Sequence, residues 1–175
     1  MTRSRYSTVA IALHWLIGLA IIGNLIGGLT HDAFPREQRG LIMALHKSFG
    51  LTILVLSLAR LGWRLANPPP PLPDYMTPLE TALAKVTHWG FYALMLAMPL
   101  TGWAMASLGK RETSYFWLFD VPRLPVDPAL KGFFGEAHEI LGWGTIALLV
   151  LHVGAVAKHH WFDRDNMLAR MLPRR

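Results

Sequence analysis

The sequence contains no cysteine. That absence excludes disulfides, thiolate metal sites, iron–sulfur clusters and the C-x-x-C-H attachment of covalent haem. Any redox metal must therefore be held by histidine, carboxylate or methionine. Charge is scarce as well: charged residues make up 16% of the chain and hydrophobic ones 53%, whereas ordinary soluble domains carry about 25% charged residues. No repeat of solenoid period and no separate soluble stretch is visible, so residues 1–175 read as a single domain.

What is present lies in blocks. Residues 8–29 are 22 without a charge, 86–109 are 24 and 140–157 are 18, while 41–59 are 19 with Lys47 alone charged. Each is near the roughly 20 residues needed to cross a hydrocarbon core, and each is apolar on every side, which does not suit an amphipathic bundle in water. The expected fold is an all-α integral membrane protein. Its four transmembrane helices are placed at approximately 8–29, 41–64, 82–108 and 136–160. The first block reads as a span rather than a cleaved signal peptide, because it is long and no small-x-small site follows it.

Connections and orientation follow. NPPPPLPDYMTP between the second and third blocks cannot be helical, since proline removes amide donors and fixes φ, and it reads as a stiff connector. The longest loop, from about Lys110 to Gly135, contains FWLFDVPRLP, an aromatic patch expected at the membrane surface. Four spans put both termini on one side. That side collects ten basic residues, Arg3, Arg174 and Arg175 among them, against seven on the other, which places both termini in the cytoplasm of a multi-pass protein. The net charge of +6 then needs no nucleic acid, because anionic lipid and topology account for it.

Eight histidines remain to be explained. His138 and His152 stand fourteen residues apart in the last block. On a helix that is about 21 Å and just under four turns, so both rings point to nearly the same side. Polar groups at such depths are costly and face partners inside the bundle. His46 enters from the outer side, level with His138; His14 enters from the inner side, level with His152. Two histidine pairs at two depths suit two stacked b-type haems, each clamped between helices. Glycine follows three of these histidines by four residues, as Gly18, Gly50 and Gly142. One turn on, the missing side chain clears room for a porphyrin edge. Small residues also serve plain helix packing. His88 shares the inner depth and competes with His14 for His152, although the glycine offset favours His14. It is alternatively a propionate partner, a quinone-pocket residue or a wet interface histidine. Arg60, fourteen residues after His46, falls near the inner level, where it would neutralise a propionate or snorkel to the boundary.

These features resemble the bacterial cytochrome b561 family over essentially the whole chain. The likeness lies in HW in the first span, FPR in the first outer loop, H-x-x-x-G in the second span and the proline-rich inner loop. It continues through His88 heading the third span, HE-x-L and H-x-x-x-x-x-x-HH in the fourth, and a tail of Asp165, Asn166, Leu168, Arg170, Met171 and Pro173. The resemblance implies a four-helix protein of the bacterial inner membrane with two haem b groups. It implies His14 with His152 on the inner iron, His46 with His138 on the outer, and His159 close to bound quinone. The likeness is greatest to members passing electrons from superoxide to ubiquinone.

Haem with histidine on both faces has no open axial site, so one-electron exchange through its edge is the expected chemistry. At the quinone end His159 or His160 would hydrogen-bond a carbonyl, and Lys158 would offset charge on the reduced quinone. Lys47 beside His46, with Arg36, Arg39, Lys110, Arg111, Arg123 and Lys131, would draw superoxide in, although seven bases and seven acids on that side cancel overall. Two other readings stand beside superoxide:quinone oxidoreductase. One is a cytochrome b relay or membrane anchor for a periplasmic redox partner. The other is a histidine-based metal transporter without haem, disfavoured because no span carries a tight carboxylate–histidine cluster.

Overall fold

The computed structural model describes residues 5–165 and 167–172. Four long helices follow one another: α1 (Thr8–Thr30), α2 (Arg36–Ala66), α3 (Pro78–Ser107) and α4 (Lys131–Ala157). Arg3, Arg174 and Arg175 of the charge count, and Asn166 and Pro173 of the tail motif, lie outside the described residues.

α1 and α3 begin at side-chain caps, whereas α2 and α4 follow Pro35 and Leu130 without one. Ser7 accepts a hydrogen bond from the Ala10 amide before α1, and Pro35 precedes the first turn of α2. α3 opens with a capping box: Thr77 and Glu80 satisfy each other's backbone amides, and Pro78 occupies the first turn, where it gives up no hydrogen bond. Pro99 lies inside α3. A proline there removes one amide donor, which membrane helices tolerate when neighbours take up the freed group.

The polarity of the bundle is inverted. Leu19, Val55, Val86 and Leu151, one from each helix, are 64–69% exposed, whereas Ser48, Ser57 and Thr145 are buried. In water so much outward apolar surface would drive association; against hydrocarbon it is the expected face. Among the described residues, three segments are long and apolar enough to cross a membrane: Thr8–Ala33, Arg36–Ala66 and Pro128–Phe162. α3 has 30 residues, but its first three turns are more polar than those segments.

α1 packs on α2, α2 on α3 and α3 on α4. A small apolar core of Ile17, Tyr92 and Met95 joins α1 to α3, with Leu56 and Leu61 of α2 against it. The long outer loop is not purely irregular. It forms a two-stranded antiparallel ribbon, β1 (Ser114–Tyr115) with β2 (Phe119–Asp120), paired Ser114 to Asp120 and Tyr115 to Phe119. At its tip Phe116 and Trp117 take φ of 45° and 60°, left-handed values that cost bulky side chains about 1–3 kcal/mol each. The buried hydroxyl of Ser48 on α2 holds the tip by accepting the Phe116 amide at 3.0 Å, while Thr52 and the Tyr115 hydroxyl meet at 3.0 Å. An otherwise strained turn is thus keyed into α2 one turn from His46.

On the opposite end, residues after α4 fold back as a π-helical turn (Lys158–Phe162) and a short 3-10 turn (Leu168–Met171). Trp15 donates to the Met171 carbonyl at 2.8 Å, and Arg170 donates to the Pro71 carbonyl at 2.7 Å. The tail therefore ties α1 to the proline-rich connector.

Candidate functional site

At the outer level His46 of α2 and His138 of α4 face each other with ring centres 6.2 Å apart. Each ring leans on the other helix of its own hairpin. His46 Nδ1 lies 3.1 Å from the Asn24 carbonyl on α1, and His138 Nδ1 lies 3.1 Å from the Met98 carbonyl on α3. A carbonyl only accepts, so each Nδ1 carries its proton and donates, which leaves Nε2 with a free lone pair. Glycine makes this approach possible. A Cβ on Gly28, four residues after Asn24, would stand 2.9 Å from His46 Cε1, and one on Gly102, four after Met98, would stand 2.9 Å from His138 Cε1. No side chain fits at either place.

Both rings line a cavity of about 580 Å³ fed by all four helices, within the usual range of about 300–1,000 Å³ for bound small molecules. Gly50 and Gly142 line it beside their histidines. A Cβ on Gly142 would come within 3.3 Å of Met98 Cε.

At the inner level His14 of α1 and His152 of α4 have ring centres 6.1 Å apart. Phe91 stands edge-on to His152 at 5.4 Å and also lines the outer cavity, so it lies between the two levels. His88, Arg60 and Arg64 share the inner level: His88 is within electrostatic reach of both arginines and of His152. Arg60 Nε lies 3.4 Å from the Tyr92 hydroxyl. The ring that meets His152 is that of His14.

These distances suit a shared metal. A metal–imidazole bond is about 2 Å and a ring atom lies a little over 1 Å from its ring centre. Two imidazoles on opposite sides of one ion therefore have centres about 6 Å apart. The tilts of 66° and 81° between the paired planes are compatible, because each plane turns freely about the nitrogen–metal axis. With no thiolate in the chain, neutral imidazole donors at this spacing fit the iron of a b-type haem.

The family model described as prokaryotic cytochrome b561 matches residues 5–174. The chain belongs to the prokaryotic cytochrome b561 family. Among curated relatives, cytochrome b561 homolog 2 of Escherichia coli is 33% identical, covering 98% of this chain and 93% of that protein. A Yersinia pestis protein named probable superoxide oxidase CybB is 29% identical, over 98% and 97% of the two chains. E. coli cytochrome b561 homolog 1 is 28% identical, over 98% and 99%. Membership in the cytochrome b561 family makes this a membrane electron-transfer protein and implies a b-type haem.

Within this cytochrome b561 chain the remaining expected residues fall into distinct places. A Cβ on Gly18 would meet nothing within 4 Å and so faces open space, whereas one on Gly50 would make ordinary contact with Asn24 Nδ2 at 3.8 Å. Lys47 lines the outer cavity together with His31, Lys110, Arg111 and Glu139. Arg36 and Arg39 do not line it: Arg39 is tied to Asp32 at 3.3 Å and to the Phe34 carbonyl at 2.9 Å.

At the inner end of this cytochrome b561 chain, the π-turn aims His159 into a second cavity of about 400 Å³ with Tyr75, Glu80, Asp163 and Asp165. Lys158 is held between Glu80 at 2.9 Å and Asp163 at 2.6 Å. Hydrogen bonds from Lys158 and then from Thr77 hold Glu80 at about 2. His160 is exposed beside Trp161 and does not line that cavity.

Asn24, Gly28, Met98 and Gly102 are the site residues that reading of the sequence missed. Asn24 carries the one available signal, an amide side chain deep in an otherwise apolar span. Gly28 and Gly102 carry none, because the histidine that needs each of them is on a different helix.

Proposed function

We propose that this cytochrome b561-family protein is a superoxide:ubiquinone oxidoreductase of the bacterial inner membrane, with four spans, both termini cytoplasmic, and one domain over residues 1–175. His46 and His138 hold an outer haem b, and His14 and His152 an inner one. The observation that carries this reading is the pair of imidazole–imidazole separations, 6.2 and 6.1 Å, at two levels of one bundle.

Bound haem supplies reversible one-electron exchange. The chain's own residues do the rest. Asn24 and Met98 carbonyls fix the Nδ1–H tautomer of the outer ligands and raise their basicity. Lys47, Lys110 and Arg111 at the cavity mouth supply the positive field that a small anion meets on approach. His14, His46, His138 and His152 would hold the haem iron between paired imidazoles, so the bound group would supply one-electron exchange rather than oxygen binding, and superoxide that lost one electron would leave as dioxygen. Arg60 and His88, at the inner level with His14 and His152, face the region where propionates would lie. α3, whose uncharged stretch runs through 86–109, completes the bundle as a fourth span. His159 in the inner cavity is the quinone contact.

The purified protein tests this by stopped flow. A superoxide pulse reduces the haem absorbance bands, and added ubiquinone reoxidises them. Reduction by chemical donors but not by superoxide moves the assignment to a relay or anchor serving a periplasmic redox partner. The exposed ribbon residues Trp117 and Leu118 are the surface that favours this second reading.

A further inference from the structure

We infer that Tyr75, Asp165 and His159 form a relay in which Asp165 positions His159 and stabilises its imidazolium, so that His159 protonates the reduced quinone. The inference rests on the quinone reading of the inner cavity and names the proton donor within it.

His159 and Asp165 are nearly enclosed, their side chains 12% and 10% exposed, and His159 Nδ1 stands 2.7 Å from Asp165 Oδ2. A second carboxylate, Asp163, lies 3.2 Å from the same nitrogen. Asp165 is itself held in place. Its Oδ1 accepts the Met167 amide at 2.9 Å, its own amide donates to the His159 carbonyl at 3.1 Å, and the Tyr75 side chain stands in the same cavity, within electrostatic reach of its carboxylate. The conformation is built for this contact. The α-helix loosens into a π-turn over Lys158–Phe162, a geometry frequent at functional sites, and Arg164 between the two aspartates takes φ of 52°.

Burial pushes the Asp165 carboxyl up, but the bonds from Met167 and His159 and the nearby Tyr75 hydroxyl outweigh it and hold the group ionised. Tyr75 moves the opposite way, raised by desolvation and by the Asp165 carboxylate, so it stays protonated. A carboxylate on Nδ1–H orients the ring and leaves Nε2 directed at a reactant, which is the arrangement of an oriented general acid. The cluster does not suit a metal ion, because Lys158 Nζ already occupies Asp163 Oδ2 at 2.6 Å.

The step balances. One electron reaches the quinone from the inner haem level as the His159 Nε2–H bond breaks and an O–H bond forms on the quinone oxygen. Water on the inner side reprotonates His159. A second electron and a second proton complete the quinol. Asp165 and Tyr75 act through His159 in this relay, so they are positioning residues.

Charged and titratable groups facing His159 are Asp163 and Lys158 from its own turn, Glu80 from α3, Tyr75 from the connector, and Arg164 and Asp165 from the tail. Of these, Asp165→Asn removes the anion in closest contact. Removing it takes away the carboxylate that orients the ring through Nδ1 and faces the charge on its protonated form.

The test uses the haem-loaded protein in nanodiscs. Pre-reduced protein is mixed with a short-chain ubiquinone across a pH series, and ¹⁵N-histidine NMR follows His159. Asp165→Asn is expected to slow reoxidation at neutral pH by at least about tenfold, to move the acid limb to lower pH and to leave the quinone KM near wild type. Tyr75→Phe gives a smaller change of the same sign. Asp165→Glu, which keeps the anion, restores much of the rate. An unchanged His159 midpoint and an unchanged rate profile in Asp165→Asn overturn the relay. Wild-type protein that quinone fails to reoxidise overturns the quinone reading itself, whatever the NMR shows.

Discussion

The substitution Gly28→Ala tests the socket most directly. The new Cβ would stand 2.9 Å from His46 Cε1 and 3.2 Å from Nδ1, against an ordinary carbon–carbon contact of about 3.5–4.0 Å. Relief requires the ring to retreat by about 0.6–1 Å. The same retreat stretches the 3.1 Å bond to the Asn24 carbonyl beyond about 3.6 Å, where it no longer counts as a hydrogen bond. Overpacking costs about 1–3 kcal/mol, and loss of an orienting partner behind a metal-bound histidine costs about 10–100-fold in metal affinity. The two figures agree in size. Gly102→Ala repeats the experiment on His138, where the separation is again 2.9 Å. The assay is haem per protein by pyridine haemochrome, with a potentiometric titration that resolves the two centres. One haem falls in occupancy or shifts in potential while the other is unchanged. Gly62→Ala, with nothing within 4 Å, is the control and keeps both. Normal occupancy and potentials in both Gly28→Ala and Gly102→Ala would refute the reasoning.

Replacing His46 or His138 with alanine removes one haem and spares the other, and His14 or His152 gives the complementary loss; haem stoichiometry and redox titration distinguish the two sets. Ser48→Ala leaves the Phe116 amide, now accepted at 3.0 Å, without its partner at a cost of about 1–3 kcal/mol. The ribbon then becomes more sensitive to limited proteolysis, with the helices intact by circular dichroism. Glu80→Gln removes the ion pair with Lys158 while the glutamine oxygen can still accept the Thr77 amide of the capping box. Because Glu80 is depressed from 4.5 to about 2, its contribution is present above about 4.5 and disappears as pH falls through about 2. The melting-temperature gap between wild type and Glu80→Gln therefore narrows across that interval, and a gap that widens on acidification contradicts the assignment.

Much of the bundle was legible because membrane spans are specified by length and apolarity alone. Four apolar blocks, one of them interrupted by Lys47, correspond to the four long helices, and the 14-residue spacing of His138 and His152 suggested two histidine levels. What was not legible depends on side chains meeting across helices. Gly18, Gly50 and Gly142 were visible because they repeat on the histidines' own helices. Gly28 and Gly102 were invisible because helix–helix rotation, which sequence does not print, decides which turn faces His46 or His138. The ribbon at Ser114–Asp120 was hidden for a similar reason. Its tip residues Phe116 and Trp117 disfavour left-handed backbone, and only the distant Ser48 and Thr52 make that turn stable. The basic outer residues were read as one group, yet Arg39 is engaged locally by Asp32, while Lys47, Lys110 and Arg111 of that group line the cavity.

The leaning of each outer histidine on its own hairpin has a further meaning. His46 is oriented by α1 and His138 by α3, so neither ligand waits for the opposite hairpin to acquire its tautomer or its aim. The socket is two finished halves, and the plane dividing them passes between the facing rings. A chain severed within the proline-rich connector would keep both halves whole, and the bound cofactor would be the rivet that joins them.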